Sequence, residues 1–291
     1  MALLFLSAIL FGEIMKQTND WQGPVQMIRR VRTRKGREMS GAFSIEGIRL
    51  HERALRAGVL VTQVIATTAF IQDPTPRIKT LMADLRQQAC EITVVPDHVI
   101  REIIGDRDLG QILGLVKMPE KRKLVDIIND VHNRRPLILV AVDVKDPGNI
   151  GAMLRTAHAA AASAFVATGI SDPYHPKALR TTMGSLFRLP VVYAEQPLSI
   201  IHELQEMGVE SVATVVSSGI SLHQAKFSEN GTAVFIGSEA WGLPADVIKA
   251  VDRLVSIPMI EEVDSFSVNA AAAIVLYDIG RKWELSRGYD D

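Results

Sequence analysis

The chain has 291 residues, of which 47% are hydrophobic and 22% charged, with a formal net charge of −1. That is the balance of a folded globular chain, long enough for one large domain or two ordinary ones, and it excludes an extended polyelectrolyte. The single cysteine, Cys90, excludes an intramolecular disulfide and a cysteine-based zinc cluster, and it fits a reducing compartment such as the cytoplasm.

Residues 2–11 are almost wholly apolar. A membrane span needs about 20 such residues, and a signal peptide needs a basic start and a small-residue cleavage site. The run meets neither requirement, so no membrane association is expected. It reads as a helix packed on the body or on a partner subunit; the other reading places the true start at Met15 or Met27. Residues 1–28 are therefore taken as an N-terminal extension.

A basic stretch follows, with Arg29, Arg30, Arg32, Arg34, Lys35 and Arg37 inside nine residues. Net charge says little about a polyanionic partner, whereas clustered cations do. The stretch is either a solvated face or a set of phosphate contacts, and the second would bring steep salt dependence. Next come Ser44-Ile45-Glu46-Gly47 and a helical pattern through Ile48, Ala54 and Leu55, stopped by Gly58. The β-branched run 59–67 predicts a buried strand, 78–88 a helix, and 92–95 and 111–116 two further strands. This alternation predicts a small α/β/α domain over 29–117. Residues 119–135 are charged and read as a helical connector, with the linker taken as 118–135.

From residue 136 to the end the pattern is regular. Strands are predicted at 137–142, 164–167, 189–193, 211–216, 233–236 and 254–257, and helices at 150–161, 198–207, 245–251 and 268–287. Short apolar strands separated by helices predict an α/β domain with a parallel sheet covered on both faces. The seven histidines, at 51, 98, 132, 158, 175, 202 and 223, form no close ligand pair, and no metal site is expected.

Such a sheet invites a nucleotide, yet no G-x-G-x-x-G follows the first strand and no G-x-x-x-x-G-K-[ST] occurs anywhere. Nicotinamide and nucleoside-triphosphate chemistry are therefore unsupported, and the strand ends must hold another ligand if they hold one. In the helix after 143–149, Ile150, Met153, Leu154 and Ala157 form one buried face, with Arg155 well off it. Asp146 or Asn149 suits its cap and Pro147 its first turn. Taken singly, this is a capped helix with a surface arginine. The segment from Ala233 to Pro244 is a strand, a turn with Gly237, Glu239 and Gly242, and a helix start. The third segment, Ile257-Pro258-Met259 then Ser265-Phe266-Ser267-Val268-Asn269, leads into an alanine-rich helix that permits close backbone approach. Each of these two would also suit an ordinary strand-to-helix corner.

Together and in this order the three segments resemble the SpoU branch of the SPOUT RNA methyltransferases. The first motif, Asn-x-Gly-Ala-x-x-Arg-Thr-Ala, is matched by Asn149, Gly151, Ala152, Arg155, Thr156 and Ala157. The second, Gly-[Asn/Ser/Ala]-Glu-x-x-Gly-Leu, is matched by Gly237, Ser238, Glu239, Gly242 and Leu243. The third is matched by Ile257, Pro258 and Met259, then by Ser265 through Ala271. Met183 through Pro190 also resembles the family. Upstream, Gly41-Ala42-Phe43-Ser44-Ile45-Glu46-Gly47 is similar to the signature of a ribosomal-protein-like α/β/α substrate-binding domain found in part of this family.

The resemblance implies S-adenosylmethionine-dependent methylation of a ribose 2′-hydroxyl in structured RNA, with ribosomal RNA as the target. It implies a trefoil-knotted catalytic domain, an exception to the usual unthreaded chain, acting as a homodimer whose sites are each completed by the other subunit. The cofactor would be held around Gly237, Ile257, Met259 and Phe266. Arg155 would act on the 2′-hydroxyl or the adjacent phosphate, Asn149 and Glu239 would position it and the RNA, and Ser265 would shape the third-motif loop. A guanidinium almost never gives up its proton in a protein and is a poor base, so a bidentate phosphate clamp is the better role for Arg155. The basic stretch would add RNA contacts. One departure stands out: the family's Ser-Leu-Asn is here Ser265-Phe266-Ser267, with Asn269 two positions on. A transfer-RNA methyltransferase, or a non-catalytic RNA-binding protein on the same fold, stays open as an alternative.

Overall fold

The computed structural model describes residues 21–105, 111–131 and 135–287. The apolar run at 2–11 and Met15 lie outside the described residues. The chain divides into two units, residues 1–119 and 120–291.

In the first unit the basic stretch is built into two short helices, α1 (Gln22–Arg30) and α2 (Arg34–Ser40). They are followed by β1 (Ala42–Glu46), α3 (Ile48–Arg56), β2 (Val61–Thr67), α4 (Thr68–Ile71), α5 (Pro76–Gln87), β3 (Glu91–Val95), α6 (Asp97–Ile104) and β4 (Ile112–Lys117). The sheet order is β1-β4-β2-β3, with β4 antiparallel to both its neighbours and β2 parallel to β3. Val25 and Ile28 of α1 pack with Val99, Ile100 and Ile103 of α6 on one face, against Ile65 and Leu113. The opposite face receives α3, whose His51 lies against Gly114 and Ile45. These are the two helical layers of an α/β/α sandwich.

Two features of this unit were not expected. Strand β1 carries Ser44 and Glu46, yet all five of its residues are buried. Glu46 is only 1% exposed at its side chain and is neutralised by Arg32, as burial of a carboxylate requires. Arg37 is also buried, and its guanidinium donates to the carbonyls of Val31 and Arg32, each at 3.2 Å. This corrects the reading of Arg37 as an RNA-contacting cation: its donors serve the main chain of the α1–α2 corner.

The second unit begins with α7 (Leu124–Asn129), the helical part of the connector. There follow β5 (Leu137–Val142), α8 (Pro147–Ala159), β6 (Ala164–Thr168), α9 (Pro176–Thr182), a 3-10 turn at Ser185–Phe187, β7 (Val191–Ala194), α10 (Pro197–Glu206) and β8 (Glu210–Val215). The chain closes with β9 (Ile220–Ser221), β10 (Thr232–Ile236), α11 (Ala245–Ala250), β11 (Arg253–Ser256) and α12 (Val268–Arg287). Seven strands form one sheet in the order β7-β6-β5-β10-β8-β11-β9, every neighbouring pair parallel. All residues of β5, β6 and β10 are buried, which explains why these strands read as unbroken apolar runs rather than alternating ones. The order reverses at β5: β6 and β7 lie on one side, and β10, β8 and β11 on the other.

Candidate functional site

Open parallel sheets bind ligands outside the carboxyl ends of their strands, near the point where strand order reverses. A cavity of about 380 Å³ lies there, walled by the residues that follow β8, β10 and β11. Its lining includes Gly237, Glu239, Ile257, Met259, Ser265 and Phe266. Six of the eight residues expected to form the catalytic and cofactor sites thus share one cavity, although they come from two separate loops.

The loop after β10 owes its shape to two glycines. An added Cβ on Gly237 would sit 2.1 Å from the main-chain carbon of Gly242 and 2.4 Å from the nitrogen of Leu243. Main-chain atoms cannot swing aside, so no larger residue fits. Gly242 has φ +66°, a left-handed conformation that costs other residues. The turn is locked by Ser238 and Gly242, whose N–H groups donate to each other's carbonyls at 3.1 and 2.9 Å.

Helix α8 starts earlier than its apolar pattern suggests, because Asp146 is the cap and Pro147 opens the first turn. The Asp146 carboxylate accepts from the Gly148 N–H at 2.9 Å. It also accepts from the Lys177 ammonium at 2.7 Å, and this bond, with the Gly148 one, holds its carboxyl below the ordinary range. Ile150, Met153, Leu154 and Ala157 are the buried face, as their spacing predicts. Gly151 is needed because a Cβ there would lie 2.3 Å from the Ala178 carbonyl oxygen of α9.

Across the reversal point Asn149 donates through its side-chain amide to a Glu239 oxygen. The first and second motifs, 90 residues apart, therefore meet by a side-chain hydrogen bond. Arg155 is exposed on α8 and, among the described residues, makes no hydrogen bond or ion pair; it is not part of the cavity wall.

The third motif accounts for its own departure from the family pattern. Ser267 caps α12, its hydroxyl accepting from the Ala270 N–H at 3.3 Å. Asn269, in the first turn of the helix, accepts from the Thr156 hydroxyl of α8 at 2.8 Å. The alanines that follow let α12 pack closely on α8.

Sequence reading missed several wall residues: Thr214 and Val216 at the carboxyl end of β8, Trp241 in the second-motif turn, and Asp264. For 214 and 216 the signal was present, since both lie at the carboxyl end of a parallel strand. The basic stretch behaves unevenly. Arg29 pairs with Glu102 and Arg34 with Glu38, while Arg32 neutralises Glu46. Arg30 and Lys35 are exposed, and neither side chain is paired among the described residues.

A doubly covered parallel sheet with a ligand-sized cavity at its switch point defines a ligand-binding α/β domain, here preceded by a separate α/β/α unit. Comparison with known proteins gives that class a family. Residues 136–277 match the SpoU rRNA Methylase family, and residues 23–112 match an MRM3-like substrate binding domain. The chain is 28% identical over 265 residues to the 23S rRNA (guanosine(2553)-2′-O)-methyltransferase RlmP of Bacillus subtilis (strain 168), covering 91% of this chain and 96% of that protein. It is 32% identical over 177 residues to the 23S rRNA (guanosine-2′-O-)-methyltransferase RlmB of Bordetella pertussis, covering 58% and 70%. The crystal structure of an AdoMet-bound rRNA methyltransferase from Sinorhizobium meliloti superposes with a TM-score of 0.74 at 25% identity, covering 88% of this chain and 94% of that one. This chain belongs to the SpoU rRNA methylase family.

Proposed function

We propose that this chain transfers a methyl group from S-adenosylmethionine to the 2′-hydroxyl of a ribose in ribosomal RNA. The observation that carries the reading is the Asn149–Glu239 bond at the edge of the cavity, which joins two of the three family motifs beside a ligand-sized space. The relatives in Bacillus subtilis and Bordetella pertussis are named for this reaction on 23S rRNA, and the Sinorhizobium meliloti structure is AdoMet-bound.

The cavity residues fit this cofactor. A volume of about 380 Å³ lies within the range of small-molecule sites. Glu239 and Asp264 supply carboxylates for a ligand carrying sulfonium and ammonium charges, while Val216 and Phe266 supply apolar surface for an adenine. Gly237, Ile257, Met259 and Phe266 would hold it. When bound, S-adenosylmethionine supplies a methyl group on a positively charged sulfur.

The chain's part is to align and orient. Asn149 fixes the rotamer of Glu239. A guanidinium's planar fork of donors matches a phosphate, so we assign Arg155 to the phosphate flanking the reacting ribose, as a two-pronged clamp. Ser265 sits in the third-motif loop, where its hydroxyl borders the same cavity.

Arg155 is not in the cavity wall of its own chain, which favours a homodimer in which the partner supplies that residue. Tyr277 on α12, with Ile260 and Val263, offers exposed apolar surface for such a contact. We also read a trefoil knot here: residues 257–267 run beside the 237–242 turn along one cavity, and α12 then returns to pack on α8 and β10. No helix of the described residues is long and apolar enough to cross a membrane. With ribosomal RNA as substrate, we place its work in the cytoplasm. Calorimetric titration with S-adenosylmethionine tests the reading: micromolar binding that is lost in Glu239→Ala with Asp264→Ala supports it, and no heat from the wild-type chain refutes it.

A further inference from the structure

Trp241 is 90% exposed, more than any other exposed large hydrophobic side chain among the described residues. Leaving an indole in water forfeits a large hydrophobic gain, and nothing in the packing of the unit calls for one at this position. Its backbone is nevertheless held firmly. The Trp241 N–H donates to the Ser238 hydroxyl at 3.3 Å, inside the turn closed by the paired Ser238 and Gly242 main-chain bonds. That turn is pressed onto the strand end at Gly237. The indole therefore stands on a rigid base at the rim of the cavity, two residues from Glu239.

Three occupants could cover it. A cofactor in the cavity is one, and Trp241 does border that cavity, but at 90% exposure most of the ring is left outside its walls. A second copy of the chain is another. Protein interfaces are built on contiguous apolar patches, whereas the exposed neighbours on this turn are Glu239, Ala240 and Gly242, an acid and two small residues. A flat ligand that meets one ring and needs no wider apolar surround is the third. Nucleobases are such ligands: unpaired bases in RNA stack singly on aromatic side chains, with little sequence preference.

We propose that Trp241 is a stacking platform for an unpaired nucleobase of the RNA substrate, next to the ribose presented to the cavity. This rests on the methyltransferase reading and adds a recognition element to it: the target nucleotide lies in a loop or bulge, with a neighbouring base splayed onto the indole. The preformed turn lowers the ordering cost of the contact.

The test uses the full chain with Trp241→Ala and Trp241→Phe. In steady-state methylation of ribosomal RNA transcribed in vitro, Trp241→Ala raises the KM for RNA about tenfold, and Trp241→Phe recovers all but roughly threefold of it, the range of single-base stacking. Sedimentation of the free protein matches wild type in both variants, and the calorimetric affinity for S-adenosylmethionine, whose cavity Trp241 borders, changes less than the KM for RNA. In a second measurement, oligoadenylate quenches the tryptophan emission of the wild type but not of Trp241→Phe, and an abasic strand of equal length quenches neither. An unchanged RNA KM, a loss of cofactor affinity as large as the rise in RNA KM, a shift in oligomeric state, or equal quenching by the abasic strand would each overturn the proposal. The quenching arm needs no turnover. A wild-type chain that binds no cofactor therefore counts against the methyltransferase reading alone, and the platform is judged by its own signal.

Discussion

The Thr156 hydroxyl donates to the Asn269 side-chain oxygen across 2.8 Å, tying the first-motif helix α8 to the first turn of α12. Asn269 occurs where the resembling pattern carries a small residue, and Ser267 where it carries asparagine. In this chain the two side chains have divided the work: the serine caps α12 and the asparagine bridges to α8.

A double-mutant cycle with Thr156→Val and Asn269→Leu is expected to return a coupling of about 1 kcal/mol in urea unfolding, the net worth of a half-buried hydrogen bond. Asn269→Asp keeps an acceptor for the hydroxyl and should keep most of that energy. Additive single mutants would remove the bridge from this description.

Gly237→Ala places a methyl group against the main chain of Gly242 and Leu243. Forcing those atoms apart should cost more than about 2 kcal/mol and open the turn that carries Glu239. Both the urea midpoint and the calorimetric affinity for S-adenosylmethionine are expected to fall, whereas Gly23→Ala, a helical position with nothing within 4 Å of its added carbon, should lower neither.

His51 gives the first unit a definite pH response. Its Nδ1 donates to the Gly47 carbonyl at 2.7 Å, its Nε2 is buried without a partner, and burial pulls its pKa from 6.5 down to about 4. The folded chain thus holds the neutral ring, while the unfolded chain takes up a proton below pH 6.5. Stability contributed by this group is complete above that value and is lost as the pH falls from 6.5 toward 4, by about 2 kcal/mol at pH 5. His51→Asn, which keeps the donor and removes the titration, should flatten the pH dependence of thermal unfolding in that window. An unchanged profile would show that another group dominates it.

How far the sequence could be read follows the physics of each element. Strands β5, β6 and β10 were legible because strands buried on both faces are uninterrupted apolar runs, whereas the two-residue, partly exposed β9 was not; 268–287 was legible because alanine and aliphatic residues recur along it. Helices α1 and α2 were hidden by their own arginines, since a helix whose buried face includes Arg37 gives no clean apolar stripe. Strand β1 was hidden in the same way by Glu46, whose burial depends on Arg32 from another element. In the site, motif resemblance supplied the residues that share the cavity. It could not supply Trp241 or the Asn269 bridge, because both belong to positions that the motif leaves free or that this chain has changed.

The basic stretch separates by burial into two groups with different expected effects. Neutralising Arg30 and Lys35, which are exposed, should reduce the slope of log K against log salt for RNA binding by roughly 0.7 to 0.9 for each phosphate deprived of its cation. Arg37→Ala should instead lower the unfolding temperature, since it leaves the Val31 and Arg32 carbonyls without their donor. Fluorescence anisotropy over a salt series, paired with thermal melts, distinguishes the two.

The most direct measurement of the catalytic reading is mass spectrometry of nucleosides from ribosomal RNA, taken from cells lacking this gene and incubated with the purified chain and methyl-deuterated S-adenosylmethionine. The label should appear in a single 2′-O-methylated nucleoside and vanish when Asn149 and Glu239 are both replaced by alanine. Label on a nucleobase, or none on RNA at all while the protein remains folded, would contradict it.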